Sequence, residues 1–445
     1  WFKWDFVNEI VDGYIYLAMR LKPILYFFII FILGSYFNYA QSSEDGGNYI
    51  EFSGKIINAE NKEPLIFANL NLLESNISTI SNSKGDFKIK IPKSHSSFKI
   101  KISFIGFKTK IIDLKSFENT TNTISLDVFV TPLSEMVMSI PKDVEGLVRE
   151  TLLNAGNNYL EDHTIMTAFY RETIKRKRRN VSLSEAVINI YKSSYKLYSK
   201  RDGIKILKIR KDTDYSRLDT VALKLSGGPF NTLYQDIIKY PNYFIPTAFI
   251  SNYSFSVHRT SKINNRPVYV IRFKQKENID EPYFFGELYI DGENKILLSA
   301  TYSLNLSNKE IASKLFVEKK PKDANVWPTK AVYRVDYAER GGKWHYSYSN
   351  LSLDFKINWT KKIFNTSYSL SSEMAITDWI ENTTLEYPKR KELMNKSIIL
   401  ADSNTGFQDL NFWGEKNIIE PENSIQNAIK KIKKKLDKLD KWFWK

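Results

Sequence analysis

The chain of 445 residues contains no cysteine, which excludes disulfide staples, thiolate zinc sites and cysteine nucleophiles together. It also excludes the lipid-bearing cysteine of a bacterial lipoprotein. Histidine is nearly as scarce. His95, His163, His258 and His345 are the only four, each isolated, and none belongs to a His-Glu-x-x-His or related ligand spacing. No Gly-x-Ser-x-Gly elbow, phosphate loop or Gly-x-Gly-x-x-Gly fingerprint occurs, and Gly227-Gly228-Pro229 reads as a turn. No cofactor and no metal are therefore expected. Carboxylates are plentiful, so a paired-acid hydrolase stays open, but it needs two groups about 5–10 Å apart in a cleft. Glu172, Glu185, Glu287 and Asp291 lie in strand-like segments, where surface or ion-paired roles suffice.

What the chain does have is aromatic residues, 14% of the total with 26 Tyr and 28 Phe, and these favour pleated, half-buried surfaces. Its length fits about two to four domains. Near the N-terminus Arg20 and Lys22 precede an apolar run over 24–33, followed by Asn38-Tyr39-Ala40-Gln41. This is the pattern of a signal peptide over 19–40, cut after Ala40, with residues 1–18 an upstream extension before Met19. An uncleaved anchor is the alternative, because the run lies near the lower limit for a bilayer span. The net charge of +15 is concentrated in Lys175-Arg176-Lys177-Arg178-Arg179 and in eight lysines after residue 429. An exported protein rarely meets nucleic acid, so none is expected as a partner. The basic knot reads as a solvated loop, with a phosphate or lipid head-group contact as the sharper alternative.

Residues 50–131 alternate with period two: Phe98, Ile100, Ile102 and Phe104 share one face, Lys99, Lys101 and Ser103 the other. Four landmarks punctuate them: an early Gly54, the step Pro64-Leu65-Ile66-Phe67-Ala68, the turn Gly85-Asp86-Phe87, and Gly106-Phe107 closing a strand. In this order they resemble the carboxypeptidase regulatory-like (transthyretin-like) β-sandwich, a domain that stabilises, presents or binds and carries no catalytic centre of its own. The family's usual Thr-Asp before the Gly-x-Phe turn is Ser81-Asn82 here, and Asn can make the same turn bonds.

An amphipathic helix is expected over 142–162, with Val144, Leu147, Val148, Thr151, Leu152 and Ala155 on one face, Asp143 as N-cap and Gly156 as stop. A β-rich module follows over 163–415. Ala168–Ile174 and Val187–Lys192 pair with the basic knot at their turn, and 218–253 is irregular. Hairpins turn at Asp291-Gly292 and Gly341-Gly342. Trp344, Tyr346 and Tyr348 share a face, whereas Leu351, Leu353, Phe355, Ile357 and Trp359 are in the opposite phase, so a β-bulge is expected near Asn350. The meander resembles the half-barrel of periplasmic lipoprotein carriers, with Gly286-Glu-Leu-Tyr-Ile-Asp291 as the local likeness. Together with the sandwich, and with Phe169-Tyr-Arg-Glu172 and Phe412-Trp-Gly-Glu415, it resembles uncharacterised exported proteins of Gram-negative bacteria. Residues 423–445 have helical spacing (Ile425, Ala428, Ile429, Ile432, Leu436, Leu439, Phe443) on a lysine background. They dock on the β-module, or lie on an anionic membrane with Trp442 and Trp444 at its interface.

The expected protein is thus mainly β, with a transthyretin-like sandwich, a linker helix, a larger antiparallel meander or half-barrel and a basic amphipathic C-terminal helix. It is exported to the periplasm, outer membrane or surface of a Gram-negative cell. It is non-enzymatic, with a face of Tyr333, Tyr337, Trp344, Tyr346 and Tyr348 for an apolar, lipid or glycan ligand or an envelope protein partner. A carboxylate-dependent hydrolase of envelope polysaccharide is the alternative, and a purely structural module a third reading.

Overall fold

A computed structural model describes residues 48–426, apart from 96–97, 118–121, 130–140, 154, 178, 198–199, 214–226, 264–265, 278, 280, 317–321, 361–362, 401–409 and 423–424. The expected extension over 1–18, the signal peptide over 19–40 and nearly all of the C-terminal helix fall outside the described residues.

The first body is a sandwich. One sheet has the order β4 (Asp86–Pro92), β1 (Tyr49–Asn58), β7 (Asn122–Leu126), with β1 and β7 parallel. The other is antiparallel, in the order β3 (Ser78–Ile80), β2 (Asn69–Leu72), β5 (Lys99–Ser103), β6 (Lys110–Asp113). Alternation puts Ile56, Leu70, Leu72, Phe87, Ile89, Ile91, Ile100 and Ile102 into one apolar core between them. The landmarks have mechanical reasons. A Cβ at Gly54 would run into the Asn122 carbonyl of the neighbouring strand, and Gly85 turns with φ +77°. Asn82 does replace the usual Asp: its Oδ1 accepts from the N–H groups of Lys84 (2.8 Å) and Asp86 (3.0 Å). Ser81 Oγ accepts from Ala68 N–H at 2.8 Å and donates to the Leu65 carbonyl at 2.6 Å.

Helix α1 (Val144–Leu153) follows, with Leu147, Val148, Thr151 and Leu152 inward. The Asp143 carboxylate accepts from Gly146 N–H at 2.7 Å, the expected N-cap. Gly156 lies inside a further short turn, α2 (Ala155–Asn158), instead of beyond the end.

The second body is built on one antiparallel sheet of ten strands: β8 (Thr164–Arg176), β9 (Arg179–Lys192), β10 (Gly203–Thr213), β11 (Tyr253–Ile263), β12 (Arg266–Gln275), β13 (Phe284–Asp291), β14 (Leu297–Leu304), β15 (Ala324–Arg340), β16 (Lys343–Trp359) and β17 (Thr366–Glu381). Its spatial order is β10-β9-β8-β17-β16-β15-β14-β13-β12-β11, so the meander returns to pair β17 with β8. The crossover from β10 to β11 contains α3 (Phe230–Leu233), and α4 (Lys309–Phe316) joins β14 to β15.

Both expected hairpins are present. Gly341 and Gly342 connect β15 to β16 with φ +57° and +79°, the pair of positive angles a two-residue type I′ turn needs. The Asp291 turn is longer, because its Oδ1 gathers the N–H groups of Glu293 and Asn294 before the chain re-enters β14. The bulge lies earlier than expected. Tyr348 pairs with Asp336 and Tyr346 with Tyr337, so the extra residue is Ser347 rather than one near Asn350. Tyr346 and Tyr348 therefore point to opposite faces. Among the described residues no helix is long and apolar enough to cross a membrane.

Candidate functional site

One face of the large sheet, called inner here, is filled by the chain itself. Phe230, Leu233, Ile237, Ile238, Phe244, Ile245 and Ile250 from the crossover pack against Met166, Ala168, Tyr170, Ile188, Ile271, Leu288, Ala300, Val335 and Tyr346 in one continuous core. A buried polar knot holds this plug in place. Tyr337 O–H donates to Asp236 Oδ1 at 2.9 Å and Tyr195 O–H to Oδ2 at 2.8 Å. Lys192 Nζ bridges Asp236 (2.7 Å) and Asp202 (3.0 Å). Burial opposes the charge on Lys192, but the two aspartates outweigh it and hold its pKa above the ordinary lysine value. Lys239 Nζ donates to the Ser194 and Leu197 carbonyls at 2.5 and 2.7 Å, and burial lowers its pKa to about 8. Tyr346 O–H reaches Ser349 Oγ at 2.6 Å and the Thr232 carbonyl at 3.3 Å.

The opposite, outer face carries the sandwich, the segment 410–422 and Ile425. Phe67, held at φ +63°, lays its ring on Tyr348 (4.8 Å between centroids) beneath the Arg334 guanidinium at 5.3 Å. Asn417 accepts from Lys90 N–H (2.7 Å) and donates to the Lys90 carbonyl (3.0 Å). The two aromatic steps singled out in the sequence meet here. Trp413 stands edge-on to Phe169 at 5.6 Å, with the Arg210 guanidinium 4.9 Å from its ring centre. Arg171 donates to Glu185 (2.7 Å), to Glu373 (3.0 Å) and to the Ile419 carbonyl (2.8 Å), while Arg210 takes the second Glu185 oxygen at 2.6 Å. Burial alone would neutralise Glu185, yet Arg171 and Arg210 hold its pKa below the usual carboxylate range. Glu373 has only one of these arginines, and burial pushes its pKa up in spite of it.

Between the bodies lies a cleft open to solvent. Phe67, Phe104 and Ile105 of the sandwich face Leu298, Trp344 and Tyr348 of the large sheet, and Lys101, Arg334, Asp336 and Glu339 supply charge. The Trp344 indole N–H is buried without a hydrogen-bond partner. A second hollow shares Asn71, Lys101 and Glu339 with it and runs on to His345 and Trp379.

The structure thus divides the five aromatic residues. Tyr346 and Tyr337 spend their hydroxyls on the inner plug, although the edge of Tyr337 also reaches the cleft. Half-buried Tyr333 stacks on Tyr302 on the inner side, at 5.1 Å and 6°. Tyr348 lies on the outer face and lines the cleft, whereas Trp344 belongs to the inner core with Tyr346 and, like Tyr337, only reaches the cleft at the end of the sheet. Sequence reasoning missed Phe67, Arg334 and the Asp236 knot. Phe67 had a signal, since it sits in the Pro-Leu-x-x-Ala step, whereas the partners of Asp236 are far away in sequence. Among the described residues no group of three or more His, Asp or Glu is placed to hold a metal ion.

Fold and cleft define a small sandwich clamped onto the outer face of a large antiparallel sheet. Residues 52–137 match the family described as CarboxypepD_reg-like domain, so the N-terminal body is a carboxypeptidase regulatory-like domain. No curated protein matches the chain by sequence. Among solved structures it is similar to an outer membrane lipoprotein-sorting protein domain from Vibrio parahaemolyticus, at 11% identity and TM-score 0.24, covering 54% of this chain and 93% of that one. A DUF1329 family protein from Desulfovibrio piger gives 8% identity and TM-score 0.25 over 57% of this chain and 100% of that one. A LolA superfamily protein from Nitrosomonas europaea gives 12% and 0.19 over 54% and 97%. At such scores the likeness carries no functional information.

Proposed function

We propose that this is a non-enzymatic, exported envelope protein that binds a glycan in the cleft between the regulatory-like sandwich and the outer face of the large sheet. The aromatic lining of the cleft carries the reading: Phe67, Phe104 and Tyr348 wall it, and Trp344 reaches it from the inner core with an indole N–H that is buried without an acceptor. Leaving such a donor unpaired costs about 1–3 kcal/mol, which a ligand oxygen that reached it would recover. Flat aromatic faces suit the apolar faces of sugar rings, and Lys101, Arg334 and Glu339 suit their hydroxyl and carboxyl groups. Export to the envelope of a Gram-negative cell, the expectation from the N-terminal pattern, supplies the compartment where glycans occur.

The hydrolase reading has its best support in Asp336 and Glu339, which line the same cleft. Both already serve the fold. Asp336 accepts from Ser299 O–H at 2.5 Å and pairs with Arg334 at 2.7 Å, while Glu339 accepts from Gly342 N–H at 3.0 Å. Titrating peptidoglycan fragments and outer-membrane polysaccharide into the full chain, with tryptophan fluorescence as readout, tests the proposal. Binding should saturate and should weaken about tenfold or more in Trp344→Phe, which keeps the ring and removes the donor. Equal affinity in the variant, or cleavage of the glycan, would overturn it.

A further inference from the structure

The end of the large sheet farthest from the cleft combines two features that the binding proposal leaves unused. At the connection between β16 and β17, Ile363 is 91% and Phe364 82% exposed. On α4, Leu315 is 58% exposed, next to Phe316, which is anchored edge-on against Phe355 at 5.9 Å. One strand away from the Ile363-Phe364 tip is the basic knot. Arg176 pairs with Tyr368, and Lys177 N–H donates to the Ser367 carbonyl at 2.9 Å. The β8–β9 turn thus sits beside the β16–β17 connection at roughly one interstrand spacing, ~4.8 Å. Lys177 and Arg179 are exposed on it, and Lys361-Lys362 directly precede Ile363 in sequence. The described chain also leaves toward this side: Ile425 packs on Leu183, beyond the Trp413–Phe169 contact, and eight lysines follow in sequence.

We infer that this end of the sheet docks on an anionic lipid bilayer, with Ile363 and Phe364 entering the headgroup region and Lys177 and Arg179 at the end of the β8–β9 hairpin resting on lipid phosphates. Two exposed apolar side chains at a strand tip cover far too little area for a stable protein interface, which needs about 800 Å² per partner. They suffice for shallow insertion when cations flank them, because burial of apolar area and attraction to anionic lipid add. The geometry also orients the molecule. From Tyr348 to Trp359 strand β16 spans roughly 35 Å at ~3.3 Å per residue, so the cleft would stand clear of the membrane.

Flotation of the full chain with phosphatidylglycerol–phosphatidylethanolamine vesicles, against phosphatidylcholine vesicles, tests the inference independently of glycan binding. The wild type should float with the anionic vesicles only, and less at high salt. The double variant Ile363→Ser/Phe364→Ser should lose at least about tenfold in partitioning, since two apolar side chains no longer leave water. Lys175→Glu/Lys177→Glu/Arg179→Glu should abolish the lipid-charge dependence. Phe364→Trp should show a blue-shifted emission quenched by brominated lipid. All these positions are exposed or half-exposed, and unchanged thermal unfolding of each variant would confirm that its fold is intact. Full flotation of the serine variant, flotation lost only on removal of 427–445, or a concentration-dependent dimer without vesicle binding would each overturn the inference.

Discussion

At the scale of single residues the main surprise is a carboxyl group the mechanism of binding does not use. Glu172 is buried on the inner face, accepts from Tyr170 O–H at 2.9 Å, and has its other oxygen unpartnered beside the equally unpartnered hydroxyl of Ser184, its cross-strand neighbour. Burial pushes its pKa up to about 7, with the tyrosine bond only partly opposing this. A raised pKa means the protonated form is favoured in the folded state. Its contribution to stability is complete below the unfolded value near 4.5 and is lost as pH rises through 7. Glu172→Gln should therefore be more stable than wild type by about 2–3 kcal/mol at pH 8 and nearly equal to it at pH 4.5, as measured by urea unfolding. His345 has the opposite sign. Burial lowers its pKa to about 4, so its stabilising contribution is full above the unfolded value of 6.5 and disappears as pH falls through 4. An unfolding curve of Glu172→Gln parallel to that of the wild type at every pH would show that the carboxyl group is solvated.

At the scale of elements the turns were legible and the bulge was legible only in part. Gly341-Gly342 between two alternating runs leaves little choice of turn. Neither glycine has an atom within 4 Å of where a Cβ would be, so a side chain there meets strain but no clash. Gly341→Val and Gly342→Val should each cost about 1–2 kcal/mol, the penalty of a positive φ for a branched residue, without altering the folded spectrum. A change below a few tenths would mean that the hairpin adopts another turn. The phase change in β16 was visible because Tyr346 and Leu351 cannot both face inward in an unbroken strand. Its position was not, because Ser347 and Ser349 are equally at home on either face. Ser349 in fact points inward, donating to the Thr232 carbonyl at 3.0 Å. The crossover filling the inner face was hidden for a different reason. Phe230, Ile237, Phe244 and Ile250 follow no period, and their burial is set by distant strands. Asp236 and Lys192 resemble ordinary surface residues until the fold brings them to 2.7 Å.

At the scale of the whole molecule the question is what joins the two bodies. The sandwich has its own core, and the large sheet has its own. Their contact is made by a third cluster, Ile80, Phe169, Val187, Tyr348, Ala375, Trp413 and Ile419, with Phe67 against it. At its centre the Arg171 side chain touches Glu185, Glu373 and the C-terminal segment together. Replacing Arg171 by Met keeps most of the volume, and Glu185 retains Arg210, but Glu373 is left as a buried carboxyl without its cation and the Ile419 carbonyl loses its donor. Breaking a buried pair in this way costs about 3–5 kcal/mol, far more than an exposed pair would. The loss falls on the large sheet and the C-terminal segment, whose groups Arg171 holds together. Calorimetry should accordingly show one transition for the wild type and, for Arg171→Met, a lowered transition of the large sheet separated from that of the sandwich. The double variant Arg171→Met/Glu373→Gln should recover part of the loss, because a neutral amide tolerates the site better than an unpaired carboxylate. A single transition in Arg171→Met, shifted no further than an exposed ion pair would shift it, would instead mean that the aromatic contacts of Phe67 and Trp413 hold the bodies together and that the buried charges only fix the register of the C-terminal segment.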